Sequence, residues 1–176
     1  MFNLVIVIIT IALTSALALA CINYLPWWFK TANDVDTVAR ASMSQLERAY
    51  DATVRAANGV APVPTSEADR GVMSQFGATL RFTPVTPPGF TWTYGHYTGS
   101  NSKYANLDYF CLTPTGTSTG ASEGTYRGLE RARSIYSRDQ VFMGANCGDT
   151  ADIAKPSKYP AQVKLTMFVL YTPTGT

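Results

Sequence analysis

Histidine is almost missing: His96 stands alone in 176 residues, and there are only three cysteines. That excludes multi-histidine metal sites and a closed Cys-rich zinc site. Charge is scarce too. Lys and Arg number 14 against 12 Asp and Glu, a formal charge of +2, so no strong field names nucleic acid or an acidic surface as a partner. No Walker loop and no dinucleotide fingerprint is present, so any motor ATPase activity belongs to partners. The sharpest absence is local, because residues 1–29 hold no Lys, Arg, Asp or Glu. What remains is 46% apolar and 12% aromatic, which excludes intrinsic disorder and bounds the chain to one or two small domains.

Residues 4–20 are Val, Ile, Leu and Ala apart from Thr10, Thr14 and Ser15. At ~1.5 Å per residue, about 20 such residues cross a bilayer's hydrocarbon layer. Tyr24, Trp27 and Trp28 follow where an aromatic belt belongs, and Lys30 marks the water. A membrane-spanning helix is the expectation, with a cleaved secretory signal as its competitor. A signal needs a basic n-region and a shorter apolar core, and the basic n-region is absent here. Taken literally, Lys30 would draw the following domain inward. The expectation is therefore that a basic leader preceded Met1 and that Met1 is a processed, N-methylated terminus, the alternative being an intact precursor.

Beyond Lys30 the pattern turns helical and amphipathic. Val35, Ala39, Ser42, Leu46, Ala49, Tyr50, Thr53, Val54 and Ala57 recur at steps of three and four, with Asp36, Arg40, Glu47, Asp51 and Arg55 elsewhere. Asn58 and Gly59 stop the helix, and Pro62 and Pro64 prevent its resumption. A helix over nearly all of residues 1–58 would be roughly 85 Å long, kinked or melted at Pro26. Residues 60–78 read as a loop with a short helix at 66–75. Strands are expected at 80–83, 90–97, 107–112 and 163–171, a helix at 125–137, and an exposed Thr/Gly/Ser loop at 113–120. The domains are then 1–29 (membrane or core half of the helix), 30–59 (its amphipathic half) and 60–176 (an antiparallel β head).

Cys111 and Cys147 lie in a Gly/Ser/Thr-rich half with 35 residues between them. A bridge closing that loop would add about 4 kcal/mol in the chain-entropy model, in an oxidising compartment. Two reduced buried thiols are the alternative. Cys21 reads as a small packing residue, with lipidation as its alternative. His96 takes a structural or surface role, since one histidine defines no Ser/His/Asp set. The acids Asp149 and Asp152 could approach calcium but lack an EF-hand's other ligands, and turn chemistry is preferred. Arg127, Arg131, Arg133, Arg138, Lys155 and Lys158 share their region with Glu123, Glu130, Asp139, Asp149 and Asp152, so a solvated face is preferred over a DNA groove.

The apolar opening Met1-Phe2-Asn3-Leu4-Val5-Ile6-Val7-Ile8-Ile9, its amphipathic continuation to Asn58, the proline at Pro26, the strands and the cysteine-bounded C-terminal region resemble the type IV pilin family. Met1 and the size of the head resemble the type IVb branch, including thin pili of conjugative plasmids. Pro87-Pro88-Gly89-Phe90 is similar to small accessory pilus proteins of those systems. One position departs: the family's glutamate, which pairs with a neighbouring subunit's amino terminus, is replaced by Val5. Family members without it are more often initiating or accessory subunits than major ones.

The resemblance implies an α+β fold, with a long N-terminal helix packed on an antiparallel sheet. It implies a filament subunit, not an enzyme, with no cofactor and no metal. Leu4, Val5, Ile8, Ala12, Ala16 and Ala20 would form the filament core. Partners would be copies of itself, other pilins, the pilus assembly machinery and, before assembly, the bacterial inner membrane, with the head in the periplasm until it joins an extracellular fibre. The second expectation is a membrane-anchored periplasmic accessory or binding protein that never polymerises.

Overall fold

A computed structural model describes residues 2–24, 27–62, 84–115 and 120–170, without the side chains of 2–3 and 20–24. The fold is α+β. Helix α1 runs Phe2–Tyr24 and α2 runs Trp27–Ala56. Strands β1 (Phe90–His96) and β2 (Asp108–Pro114) precede helix α3 (Glu123–Arg133), and β3 (Val141–Gly144) and β4 (Lys164–Phe168) follow it. The four strands form one antiparallel sheet in the order β1-β2-β4-β3.

The sheet's two-residue period sorts its side chains onto two covered faces. Phe90, Trp92, Tyr94, Phe110, Leu112, Val141, Met143, Leu165 and Met167 face a core shared with Val35, Ala39, Met43, Leu46, Tyr50 and Val54 of α2 and Leu129 and Ala132 of α3. The opposite face buries Tyr104, Tyr109, Cys111, Phe142 and Phe168 as a second cluster. Its rings meet mostly edge to face, as at Tyr104–Phe142 (centroids 5.6 Å apart, planes at 86°), the geometry that ring quadrupoles favour. Each large apolar side chain so buried contributes about 1.5–3 kcal/mol.

Several boundaries agree with the sequence patterns and several move. The stripe on α2 is buried as expected except at Thr53, which is half-buried, and Ala57, which is exposed; Ala32 and Met43 join it. The helix ends as Asn58 and Gly59 dictate: both take positive φ (54° and 88°), and the Gly59 N–H bonds the Val54 carbonyl at 2.8 Å. That pairing with Asn58 N–H to Arg55 O is the Schellman arrangement. Within the helix expected over residues 1–58, kinked or melted at Pro26, Phe2–Tyr24 and Trp27–Ala56 are helical. Residues 25–26 between them lie outside the described residues, and with them the kink residue Pro26; the short helix at 66–75 and the strand at 80–83 lie outside as well. Strand β3 was not anticipated, because its four residues are all buried and carry no alternation. Helix α3 stops at Arg133, before the expected 137, and leaves Ile135 57% exposed.

The membrane-spanning length expected of residues 1–29 is not met among the described residues, where no helix is long and apolar enough to cross a membrane. The helical backbone of α1 covers 23 residues.

Candidate functional site

Every described side chain of α1 is exposed, including Leu4, Val5, Ile8, Ala12 and Ala16. The side chain of Ala20 and all of Met1 lie outside the described residues. No flank of this helix is polar. Its threonines do not alter that, because Thr10 Oγ donates to the Ile6 carbonyl (2.7 Å) and Thr14 Oγ to the Thr10 carbonyl (2.9 Å). Hydroxyls satisfied within their own helix make no demand on water, so the helix suits an apolar medium on all sides. A monomer rarely exposes a continuous apolar surface of this kind unless something else covers it.

At the start of α2 the chain meets α3 in a close joint. Gly124, Gly128 and Ala132 recur every fourth residue and are buried on one face of α3. A Cβ at Gly124 would lie 2.8 Å from the Trp28 carbonyl oxygen, and one at Gly128 would lie 2.6 Å from that of Ala32. Only glycine allows so close an approach of the two backbones. Ser122 caps α3 by accepting the Thr125 N–H (3.2 Å), and Glu123 pairs with Arg127 at 2.7 Å. The Arg127 guanidinium lies 4.1 Å from the Trp28 ring centre and that of Arg131 5.4 Å from Phe29. Arg131 also donates to Asn33 Oδ1 (2.6 Å), while Arg40 donates to the Arg131 carbonyl. Sequence reading placed these arginines on a solvated face and passed over the Gly-x-x-x-Gly spacing that could have located the joint.

Farther along α2, Tyr50 reaches the sheet. Its hydroxyl donates to Asp108 Oδ2 (2.7 Å), and His96 Nδ1 lies 2.8 Å from Asp108 Oδ1. Asp108 is buried, so these partners replace the water its carboxylate would otherwise hold. Burial first, and then the Asp108 carboxylate, push the neighbouring Tyr94 hydroxyl far above its ordinary pKa. His96, expected in a structural or surface role, pairs with Asp108 while its side chain stays 41% exposed. It also borders a polar cavity of about 320 Å³ with Tyr97, Ser100, Tyr109, Asp149 and Thr150. On the other flank, Glu47 accepts from Gln140 Nε2 (2.7 Å), and burial raises its pKa.

Cys111 and Cys147 form a disulfide with Cα atoms 5.7 Å apart, joining β2 to the turn after β3. The acids near it serve that turn. Asp149 accepts the Asn146 N–H (2.8 Å), and Asp152 accepts the Met143 N–H (2.9 Å) and pairs with Arg133. Among the described residues no group of three or more His, Cys, Asp or Glu could hold a metal ion.

The described residues define an α+β protein whose sheet carries helices on one face and a disulfide-closed aromatic cluster on the other, preceded by an apolar helix with exposed side chains. No family model, no curated protein and no solved structure matches this chain.

Proposed function

We propose that the chain is a structural subunit, major or minor, of a type IV pilus-like filament serving surface attachment, motility or conjugative contact. Its apolar helices bundle in the fibre core, and the heads cover the outside. Before assembly α1 anchors the subunit in a bacterial inner membrane with the head in the periplasm. Copies of itself, other pilins and the assembly machinery are its partners.

One observation supports this reading above the rest: α1 is apolar around its whole circumference, and all its described side chains are exposed. Its 23 helical residues extend about 34 Å at ~1.5 Å each. Moving such a helix from lipid into a bundle exchanges one apolar medium for another, and Ala12, Ser15, Ala16, Ala18 and Ala20 permit close approach between helices. With Val5 in place of a carboxylate, assembly relies on packing alone. Val5 also favours the second reading, an anchored periplasmic accessory protein that stays in the membrane.

Replacement of Ala16 by Arg separates the two. A cation near the helix centre costs about 2.5–3.5 kcal/mol on insertion scales. Among subunits verified to be inserted, Ala16→Arg is expected to abolish recovery in sheared surface fibres, whereas Ala154→Arg on the exposed head leaves it intact. Normal fibres from an inserted Ala16→Arg subunit would refute the filament reading.

A further inference from the structure

The joint between α2 and α3 lies at a particular level along the chain. Trp27 opens α2 three residues after Tyr24 closes α1, so the two are at most about 11 Å apart. Helix α3 rests on Trp28, Thr31, Ala32 and Val35, all within the first ~12 Å of α2. Its arginines are therefore held close to the end of the apolar helix by backbone contacts that only glycine permits.

The side chains gathered there are of two kinds. Trp27 is 74% exposed, and Trp28 and Phe29 are half-buried, so aromatic surface is available next to the apolar helix. The cations Lys30, Arg127 and Arg131 stand among them, against Glu123, which pairs with Arg127, and Asp34 one turn farther along α2. The Arg127 guanidinium lies over the Trp28 ring and that of Arg131 over the Phe29 ring. Their N–H groups lie in the plane of the fork, and each arginine retains donors beyond those given to Glu123 and Asn33. A planar fork of this kind suits the paired oxygens of a phosphodiester, and amphipathic rings beside it suit the headgroup layer.

We propose that Trp27, Lys30, Arg127 and Arg131 form a collar that docks the head on phospholipid headgroups, with anionic phospholipid the preferred partner. This rests on the anchoring of α1 proposed above. The collar fixes the height and tilt of the head at the membrane surface, and it places the α3 side of the head, rather than the sheet's disulfide-closed face, against the bilayer. Extraction into a fibre then has to break these headgroup contacts as well as withdraw α1.

Arginine-specific labelling with phenylglyoxal, read by peptide mass mapping of the full-length chain, tests the collar. The chain is reconstituted in phosphatidylcholine vesicles with and without phosphatidylglycerol, and in phosphate-free maltoside micelles with and without inorganic phosphate. Alkaline washing and flotation first report whether α1 holds the chain in the vesicles. Labelling at Arg127 and Arg131 is expected to slow several-fold in phosphatidylglycerol vesicles relative to micelles, and less in phosphatidylcholine alone. Arg55, near the far end of α2, should label equally throughout. Equal labelling of Arg127 and Arg131 in micelles and in vesicles that retain the chain overturns the collar and leaves the anchor standing. The same protection by inorganic phosphate in micelles overturns it in favour of a free-anion site. A chain released from vesicles by the wash overturns the anchor, and the collar with it.

Discussion

Adding one methyl group at Gly128 tests the joint that positions α3. On an exposed helix, Gly→Ala stabilises by about 1 kcal/mol, because alanine loses less backbone entropy on folding. At Gly128 the new Cβ would stand 2.6 Å from the Ala32 carbonyl oxygen and 2.7 Å from Val35 Cβ. Ordinary contact requires roughly 3.5 Å, so one helix must retreat by about 1 Å. The obstructing atoms are a backbone oxygen and a branched Cβ, neither of which can rotate away. Overpacking of this kind costs about 1–3 kcal/mol, and retreat of α3 also loosens Leu129 and Ala132 in the core and Arg127 over Trp28. The net expectation for Gly128→Ala is a loss of about 1–2 kcal/mol. At about 2–4 °C per kcal/mol for a chain of this size, the melting temperature falls by about 2–8 °C. Thermal unfolding of the full chain in detergent, followed by circular dichroism, measures it, with Glu130→Ala on the exposed face of α3 as the control. A Gly128→Ala protein that melts at or above the wild-type temperature would refute the close-contact account and return α3 to an ordinary surface helix.

Reduction of the Cys111–Cys147 bridge, which spans 36 positions, is expected to lower stability by about 4 kcal/mol in the chain-entropy model. Matching denaturant midpoints for the oxidised and reduced protein would contradict this. Replacing Tyr50 by Phe removes a hydroxyl bonded to the buried Asp108 carboxylate and should cost about 1.5–3 kcal/mol by chemical denaturation; an unchanged midpoint would show that Asp108 does not depend on it. Glu47 carries a sign. Burial raises its folded pKa above the ordinary value of 4.5, so its contribution is fully present below that value and is lost as pH rises through the folded pKa. Glu47→Gln keeps an acceptor for Gln140, so the variant should gain on wild type as pH rises through that window, measured by urea midpoints. A wild type that gains on the variant instead would reverse the assignment.

Features set by short-range patterning were legible in the sequence. The aliphatic run of α1 is legible because its residues are almost all apolar, and its two threonines bond within the helix itself. The stripe on α2 follows from the helical period, and its end at Asn58 and Gly59 from the left-handed conformation those residues tolerate. The pairing of Cys111 with Cys147 was legible for an arithmetic reason, since Cys21 sits in the apolar run and leaves them as the remaining pair.

Other features arise only when distant segments meet. The short strand β3 has no period of its own and is a strand because β4 offers it a ladder. Strand β1 alternates Phe90, Trp92 and Tyr94 with Thr91, Thr93 and Gly95, yet Thr93 and Gly95 are buried too, because a second aromatic cluster covers that side. His96 and Asp108, twelve positions apart, become partners through the β1–β2 register and acquire Tyr50 only when α2 lies across the sheet. The glycines of α3 show the contrast most plainly. In the sequence Gly124 and Gly128 weaken a helix, whereas in the fold the missing Cβ atoms let α3 reach the α2 backbone and carry Arg127 and Arg131 to Trp28 and Phe29. Local chemistry determines which segments are helical or apolar, but close contact depends on what stands opposite, and tertiary structure alone supplies that.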